Sequence, residues 1–103
     1  MSLLSIVLPA YNEEQNIANT AKVLGELLDR HGIDYELVFI SDGSKDGTFD
    51  RIQEEAAKNP RVRGAEFSRN FGKEAGIFAG LELTTGDAVI VMEDGIAWFF
   101  IYR

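Results

Sequence analysis

The stretch YELVFISDGSKDGT, residues 35–48, joins a short apolar run to a polar, glycine-punctuated loop. Leu37, Val38, Phe39 and Ile40 are consecutive and bounded by turn formers, the pattern of a strand covered on both faces. A buried strand over residues 36–40 is therefore expected in the middle of a sheet. Ser41, Asp42, Gly43, Ser44, Asp46 and Gly47 follow at once, so a carboxylate and several hydroxyl and backbone donors fall at the strand's carboxyl end. Open α/β sheets hold their ligands at that end.

The layout repeats on either side. LSIVL, residues 4–8, reads as a first strand stopped by Pro9, which cannot donate to a sheet ladder. In the PAYNEE that follows, Asn12 is the expected helix N-cap, with Glu13 and Glu14 in the first turn. Ile17, Ala21, Leu24 and Leu28, joined by Leu27, share one helical face up to about Arg30, and Gly32 ends the helix. His31 reads as a solvated residue at that end. After the central loop, a second helix over about 48–58 turns Phe49, Ile52 and Ala56 inward, with Asp46 or Ser44 as its cap. Residues 62–67 alternate like a strand near the sheet edge. A third helix, about 74–84, points Ile77, Phe78 and Leu81 inward, and Gly76 with Gly80 permits close packing on the sheet. AVIVM, residues 88–92, is a fourth buried strand.

Strands alternating with helices in the order βαβαβαβ imply an α/β fold: a three-layer, mostly parallel sheet with right-handed crossovers. Parallel strands share one polar edge, here residues 9–13, 41–44, 68–73 and Glu93 with Asp94. That convergence points to a ligand site, the plain alternative being loops that are polar because they are solvated.

Composition narrows the ligand. The 103 residues are enough for one domain. Without cysteine, and with a single histidine, disulfides, thiolate chemistry and a multi-histidine metal site are excluded. Seventeen acidic against ten basic residues, a net charge of −7, argues against nucleic acid as a partner. No apolar run approaches the roughly 20 residues of a membrane span, and residues 3–9 are too short for a signal peptide. Phosphate-cradle motifs fail: PAYNEE contains no glycine, and Gly72-Lys73 is followed by Glu74 where a Walker A loop needs Ser or Thr. An EF-hand opening at Asp42 would meet Gln53 where Glu is needed. KDGT, residues 45–48, is similar to the haloacid-dehalogenase signature, but the nucleophile position falls on Ser44.

SIVLPAYNEEQNI, YELVFISDGSKDGT, FSRNFGKEAGIFAGL and TGDAVIVMED, in that order, resemble the family 2 glycosyltransferases of the GT-A fold. Among these they are most similar to the polyprenyl-phosphate sugar transferases, the dolichol-phosphate mannose synthases and bactoprenol glucosyltransferases. The resemblance implies a Rossmann-like half that binds a nucleotide-diphosphate sugar, a UDP- or GDP-hexose, on the polar edge, with Mg²⁺ or Mn²⁺ against the diphosphate. Carried over by position, Pro9, Tyr11 and Glu13 line the nucleoside pocket, and Ile40 and Asp42 meet the base. A tyrosine offers a stacking face, and a carboxylate can accept from a base N–H or a ribose hydroxyl. Tyr11 as a packing residue, Glu13 as a helix-start carboxylate and Asp42 as a turn residue are the plain alternatives. Arg69 and Lys73 are the basic pair on this edge and the candidates for diphosphate contact, against the alternative of a solvated loop.

The family places Asp-x-Asp after the fourth strand, where this chain has Glu93, Asp94 and Gly95. Glu93 and Asp94 are the metal candidates, although adjacent side chains on an extended segment point oppositely and need a bend to share an ion. The expected organisation is a nucleotide-sugar-binding half-domain over 1–95 and an apolar tail, 96–103, unlike the family. The half that would supply acceptor binding and the catalytic base is missing from this reading. A truncated, inactive transferase is therefore expected, with a nucleotide-binding or self-associating module as the alternative. The tail is expected to be buried or to close a homodimer. The resemblance also implies a cytoplasmic location, with the parent enzyme at the cytoplasmic face of a membrane.

Overall fold

The structure, a computed structural model, describes residues 3–93 and 96–102. Its elements follow in the order β1 (Leu3–Ala10), α1 (Ile17–Arg30), β2 (Asp34–Ser41), α2 (Thr48–Lys58), β3 (Val62–Glu66), α3 (Lys73–Leu83), β4 (Ala88–Glu93) and β5 (Ile96–Tyr102). The sheet runs β3-β2-β1-β4-β5. The first four strands are parallel, as expected for βαβ crossovers, and β5 pairs antiparallel with β4.

The apolar run of β2 is covered on both faces. Leu37 and Phe39 join Ile6, Leu8, Ile17, Leu28 and Ile52 in a core beneath α1 and α2. On the other face, Val7, Val89 and Val91 pack with Ile77 and Leu81 of α3. Each such fully buried aliphatic side chain contributes about 1.5–3 kcal/mol, so two facing layers of them hold the sheet between its helices. The approach of α3 is set by its glycines: a Cβ at Gly80 would lie 2.4 Å from Val7 Cγ1. Phe78, expected inward, is 67% exposed, because the small residues of α3 rather than its largest one are turned to the sheet.

Two boundaries differ from expectation. β1 continues through Pro9 to Ala10. The Ala10 carbonyl accepts from Asp42 N–H on the β2 side, so the preceding residue, Pro9, turns its nitrogen toward β4, where the register has ended at Val7 and Val91. The missing donor therefore costs no ladder bond. α1 starts at Ile17 rather than just after Asn12. Asn12 is left-handed (φ 53°), and the N–H groups of Asn12, Glu13 and Glu14 donate to Ser44, Thr48 and Asp46 instead of opening a helix.

β5 was not expected as a strand of this sheet. Two residues separate it from β4, and its register slips between Val91 and Met92 as at a β-bulge. The expected tail is thus paired within its own chain.

A second unexpected feature lies under the amino-terminal ends of the strands. Glu36, only 6% exposed, accepts from the Ser5 hydroxyl (2.6 Å), the Thr85 N–H (2.7 Å) and Arg63 Nη1 (3.1 Å). Arg63 also donates to the Leu83 carbonyl at the end of α3, and Ser5 accepts from Gly86 N–H. Burial pushes the Glu36 carboxyl up, but the bonds from Ser5, Thr85 and Arg63 outweigh it and hold the group below its ordinary range.

Candidate functional site

The carboxyl ends of β1, β2 and β3 carry the loops 11–16, 42–47 and 67–72 to one rim of the sheet. The strand order reverses beside β1, since β2 and β3 lie to one side and β4 to the other, with α3 on the opposite face from α1 and α2. That reversal opens the crevice in which doubly wound sheets take ligands. A cleft of about 580 Å³ runs along α1, walled by Pro9, Ala10, Glu13 and Asn16 together with Leu24, Leu27 and Met92.

Loops one and two are stitched together. Asn12 N–H donates to the Ser44 hydroxyl (3.1 Å), and Lys45 N–H donates back to Asn12 Oδ1 (2.8 Å). Glu14 accepts from Gly47 N–H (3.0 Å), while Asp46 accepts from the N–H groups of Glu14 and Thr48 and from the Thr48 hydroxyl. The Thr48 hydroxyl is the main reason that the Asp46 carboxyl sits below its ordinary range, with slight desolvation acting against it. Tyr11, 43% exposed, stands on this rim with an open ring.

Loop three is held by Asp42. This residue is 5% exposed, and its two oxygens accept from Phe71 N–H (2.9 Å) and Gly72 N–H (3.1 Å). Gly43 beside it has φ +65°, and a Cβ there would lie 2.2 Å from the backbone of Arg69 and Asn70. Only glycine allows the two loops to press together in this way. Arg69 and Lys73 are both exposed; the Arg69 guanidinium lies 4.9 Å over the Phe71 ring, and Lys73 opens α3. Ile40 is fully buried beneath α3, where its Cγ2 would lie 3.8 Å from a Cβ at Gly76, next to Pro9.

The expected site residues therefore divide. Pro9, Tyr11, Glu13, Ile40 and Asp42 gather at neighbouring ends of β1 and β2, and Arg69 and Lys73 flank them across loop three. Asp94 and the side chain of Glu93 lie outside the described residues. Among the described residues no three acidic or histidine groups converge to hold a metal. The cation expectation thus rests on Glu93 and Asp94 alone. No helix among the described residues is long and apolar enough to cross a membrane. The interlocking of loops two and three was missed from sequence; a glycine directly after a buried acidic residue was its one visible sign.

Known proteins resemble this chain in sequence and fold. The putative glycosyltransferase CsbB of Bacillus subtilis is 47% identical over 91 residues, 88% of this chain and 28% of its own length. The bactoprenol glucosyl transferase of Shigella phage SfX is 46% identical over 90 residues, 87% of this chain and 30% of its own. This chain thus spans less than a third of the relatives it matches. Among solved structures, a glucosyl-3-phosphoglycerate synthase of Mycobacterium tuberculosis in complex with Mn²⁺, UDP and glucosyl-3-phosphoglycerate superposes with TM-score 0.70 at 27% identity, over 89% of this chain and 33% of that one. A mannosyltransferase of Pyrobaculum calidifontis in complex with GDP-Man and Mn²⁺ shares the fold, with TM-score 0.74 at 23% identity over 92% of this chain and 28% of that one. Residues 5–95 match the family described as Glycosyl transferase family 2, so the parallel sheet and its polar rim are those of a GT-A glycosyltransferase and the chain belongs to family 2.

Proposed function

We propose that this chain is the donor-binding part of a transferase that moves a hexose from a nucleotide-diphosphate sugar to a polyprenyl phosphate. The observation that carries the reading is the rim itself, where Pro9, Tyr11, Glu13 and Asp42 share adjacent strand ends at the reversal of strand order, with Ile40 packed beneath them. Tyr11 offers a stacking face for the base, and Glu13 and Asp42 offer acceptors for base or ribose donors. Arg69 and Lys73 supply positive charge for the diphosphate. Mg²⁺ or Mn²⁺ at Glu93 and Asp94 would neutralise the same group. The bactoprenol transferases among the relatives support a lipid acceptor, and with it a parent enzyme working at the cytoplasmic face of a membrane.

On its own, the chain is expected to bind donor and transfer nothing, because it spans less than a third of the relatives it matches. Calorimetry with UDP-glucose and GDP-mannose, with and without Mn²⁺, tests the binding; no heat at millimolar nucleotide refutes it. A radiolabelled donor that yields lipid-linked sugar with this chain alone refutes the inactivity.

A second reading rests on β5. This seven-residue strand, IAWFFIY, ends the sheet order and carries neither charge nor proline to discourage a further strand. Self-association through that edge predicts a dimer in sedimentation that reverts to monomer when residues 96–103 are deleted; a wild-type monomer rules it out.

A further inference from the structure

We infer that Asp42 is a positioning residue: whatever contact it makes with a nucleoside, its carboxylate sets loop 67–72 and, through Phe71, orients Arg69 toward the diphosphate. The inference rests on the nucleotide-sugar reading above and gives one of its residues a second task.

The geometry is a chain of contacts. Asp42 is buried at the end of β2, and its two oxygens accept from consecutive backbone N–H groups, those of Phe71 and Gly72. These donors lie 29 and 30 residues further along the sequence, so the bonds fix one loop to another rather than closing a local turn. A buried carboxylate without such donors would be strongly disfavoured, and two charge-assisted bonds hold the loop firmly. The Phe71 ring is held in turn, edge-on to Phe67 with centroids 5.3 Å apart. The Arg69 guanidinium rests over that ring at 4.9 Å. Gly72 also precedes the first residue of α3, so the same carboxylate fixes where Lys73 begins the helix.

Holding a long cationic side chain on an anchored ring before ligand arrives removes part of the ordering cost of binding. Each carboxylate oxygen keeps a lone pair beyond the one that the loop N–H uses, so holding the loop does not exhaust the acceptor. An asparagine at this position would keep one acceptor and set its amide N–H₂ against the other backbone N–H.

The test compares UDP with uridine, and GDP with guanosine, by calorimetry. The ratio of diphosphate to nucleoside affinity isolates what the diphosphate adds. Asp42→Asn is expected to lower that ratio by about tenfold, the scale of a charge-assisted bond. Arg69→Ala should lower it by a similar factor, and the double variant should lose no more than either single change. A ratio unchanged in Asp42→Asn, or losses that multiply in the double variant, overturns the inference. Phe71→Leu keeps the N–H and removes the ring; it should lower the ratio while leaving uridine affinity intact, and serves if Asp42→Asn does not fold.

Amide hydrogen exchange at Phe71 and Gly72 in the unliganded chain separates this inference from the functional reading. Slow exchange at Phe71 in wild type that becomes fast in Asp42→Asn, while the amides of β1 and β2 stay protected, supports the latch even if no nucleotide binds. The Gly72 N–H, which also donates to Asn70 Oδ1, reports it less cleanly. Fast exchange at both amides in wild type overturns it whatever binds.

Discussion

α3 carries Gly76 and Gly80 one turn apart, and the same substitution at the two positions should have opposite effects. Replacing a helix-interior glycine with alanine stabilises a helix by about 1 kcal/mol through reduced backbone freedom. At position 76 the new methyl would meet Ile40 Cγ2 at 3.8 Å and Pro9 Cβ at 3.9 Å, ordinary contact distances, so Gly76→Ala should stabilise by about 1 kcal/mol. At position 80 it would lie 2.4 Å from Val7 Cγ1 and 3.4 Å from Ile40 Cγ1. Relief demands a movement of roughly 1 Å by a fully buried, β-branched side chain in the middle of β1, or by the helix itself. Overpacking of that kind costs about 1–3 kcal/mol, which cancels or exceeds the propensity gain. The two variants should therefore differ by about 1–3 kcal/mol. With a urea slope of about 1 kcal/mol/M, their midpoints separate by about 1 M or more, Gly76→Ala above wild type and Gly80→Ala at or below it. If Gly80→Ala unfolds at the same urea concentration as Gly76→Ala, α3 does not rest on Val7 and the packing described above is wrong.

Further expectations concern other parts of the fold. Glu36→Gln should cost about 2–3 kcal/mol near neutral pH, because it weakens three buried bonds to a charge. Since the folded carboxyl titrates below its unfolded value, its contribution is complete above the ordinary glutamate range and is lost as pH falls through the folded value. Wild type should lose stability on acidification more steeply than Glu36→Gln, and equal slopes in urea melts across the acid range would contradict this. Gly43→Ala places a methyl in the backbone of Arg69 and Asn70 at a left-handed φ. It should cost about 2 kcal/mol or more and speed amide exchange at Phe71; wild-type exchange rates would show that the loops are not interlocked. Phe78→Ser, at a side chain that is mostly solvated, should move the unfolding free energy by no more than about 0.5 kcal/mol, and a larger loss would mean that the ring is buried after all.

Much of the architecture was legible because consecutive apolar residues can hardly be anything but covered strands: the runs at Leu37 and Val89 gave β2 and β4 their places. The start of α1 was not legible, since Asn12 and the two glutamates are good helix openers by local rules and are diverted only by partners more than 30 positions away. Phe78 misled for the opposite reason: α3 is apolar nearly all round, so periodicity could not say which flank faces the sheet. β5 had a signal that went unread, an Asp-Gly pair between two apolar runs, which is a strong hairpin cue. In the candidate site, the motifs named the strand ends, but the bond from Asp42 to loop three needed the register of β2 with β3. The Glu36 cluster was hidden in the same way, because Ser5, Arg63 and Thr85 come together only once three strands are aligned.

That cluster and the rim sit at opposite ends of the sheet. Ser5 and Ala10 are five positions apart on β1, roughly 16 Å of extended chain, with the aliphatic middle of the molecule between them. The buried Glu36 cluster and the polar rim are therefore separated by the aliphatic middle of the sheet. Descendants of such a chain can rewrite the three rim segments while the cluster stays untouched, which gives one scaffold room to vary its rim.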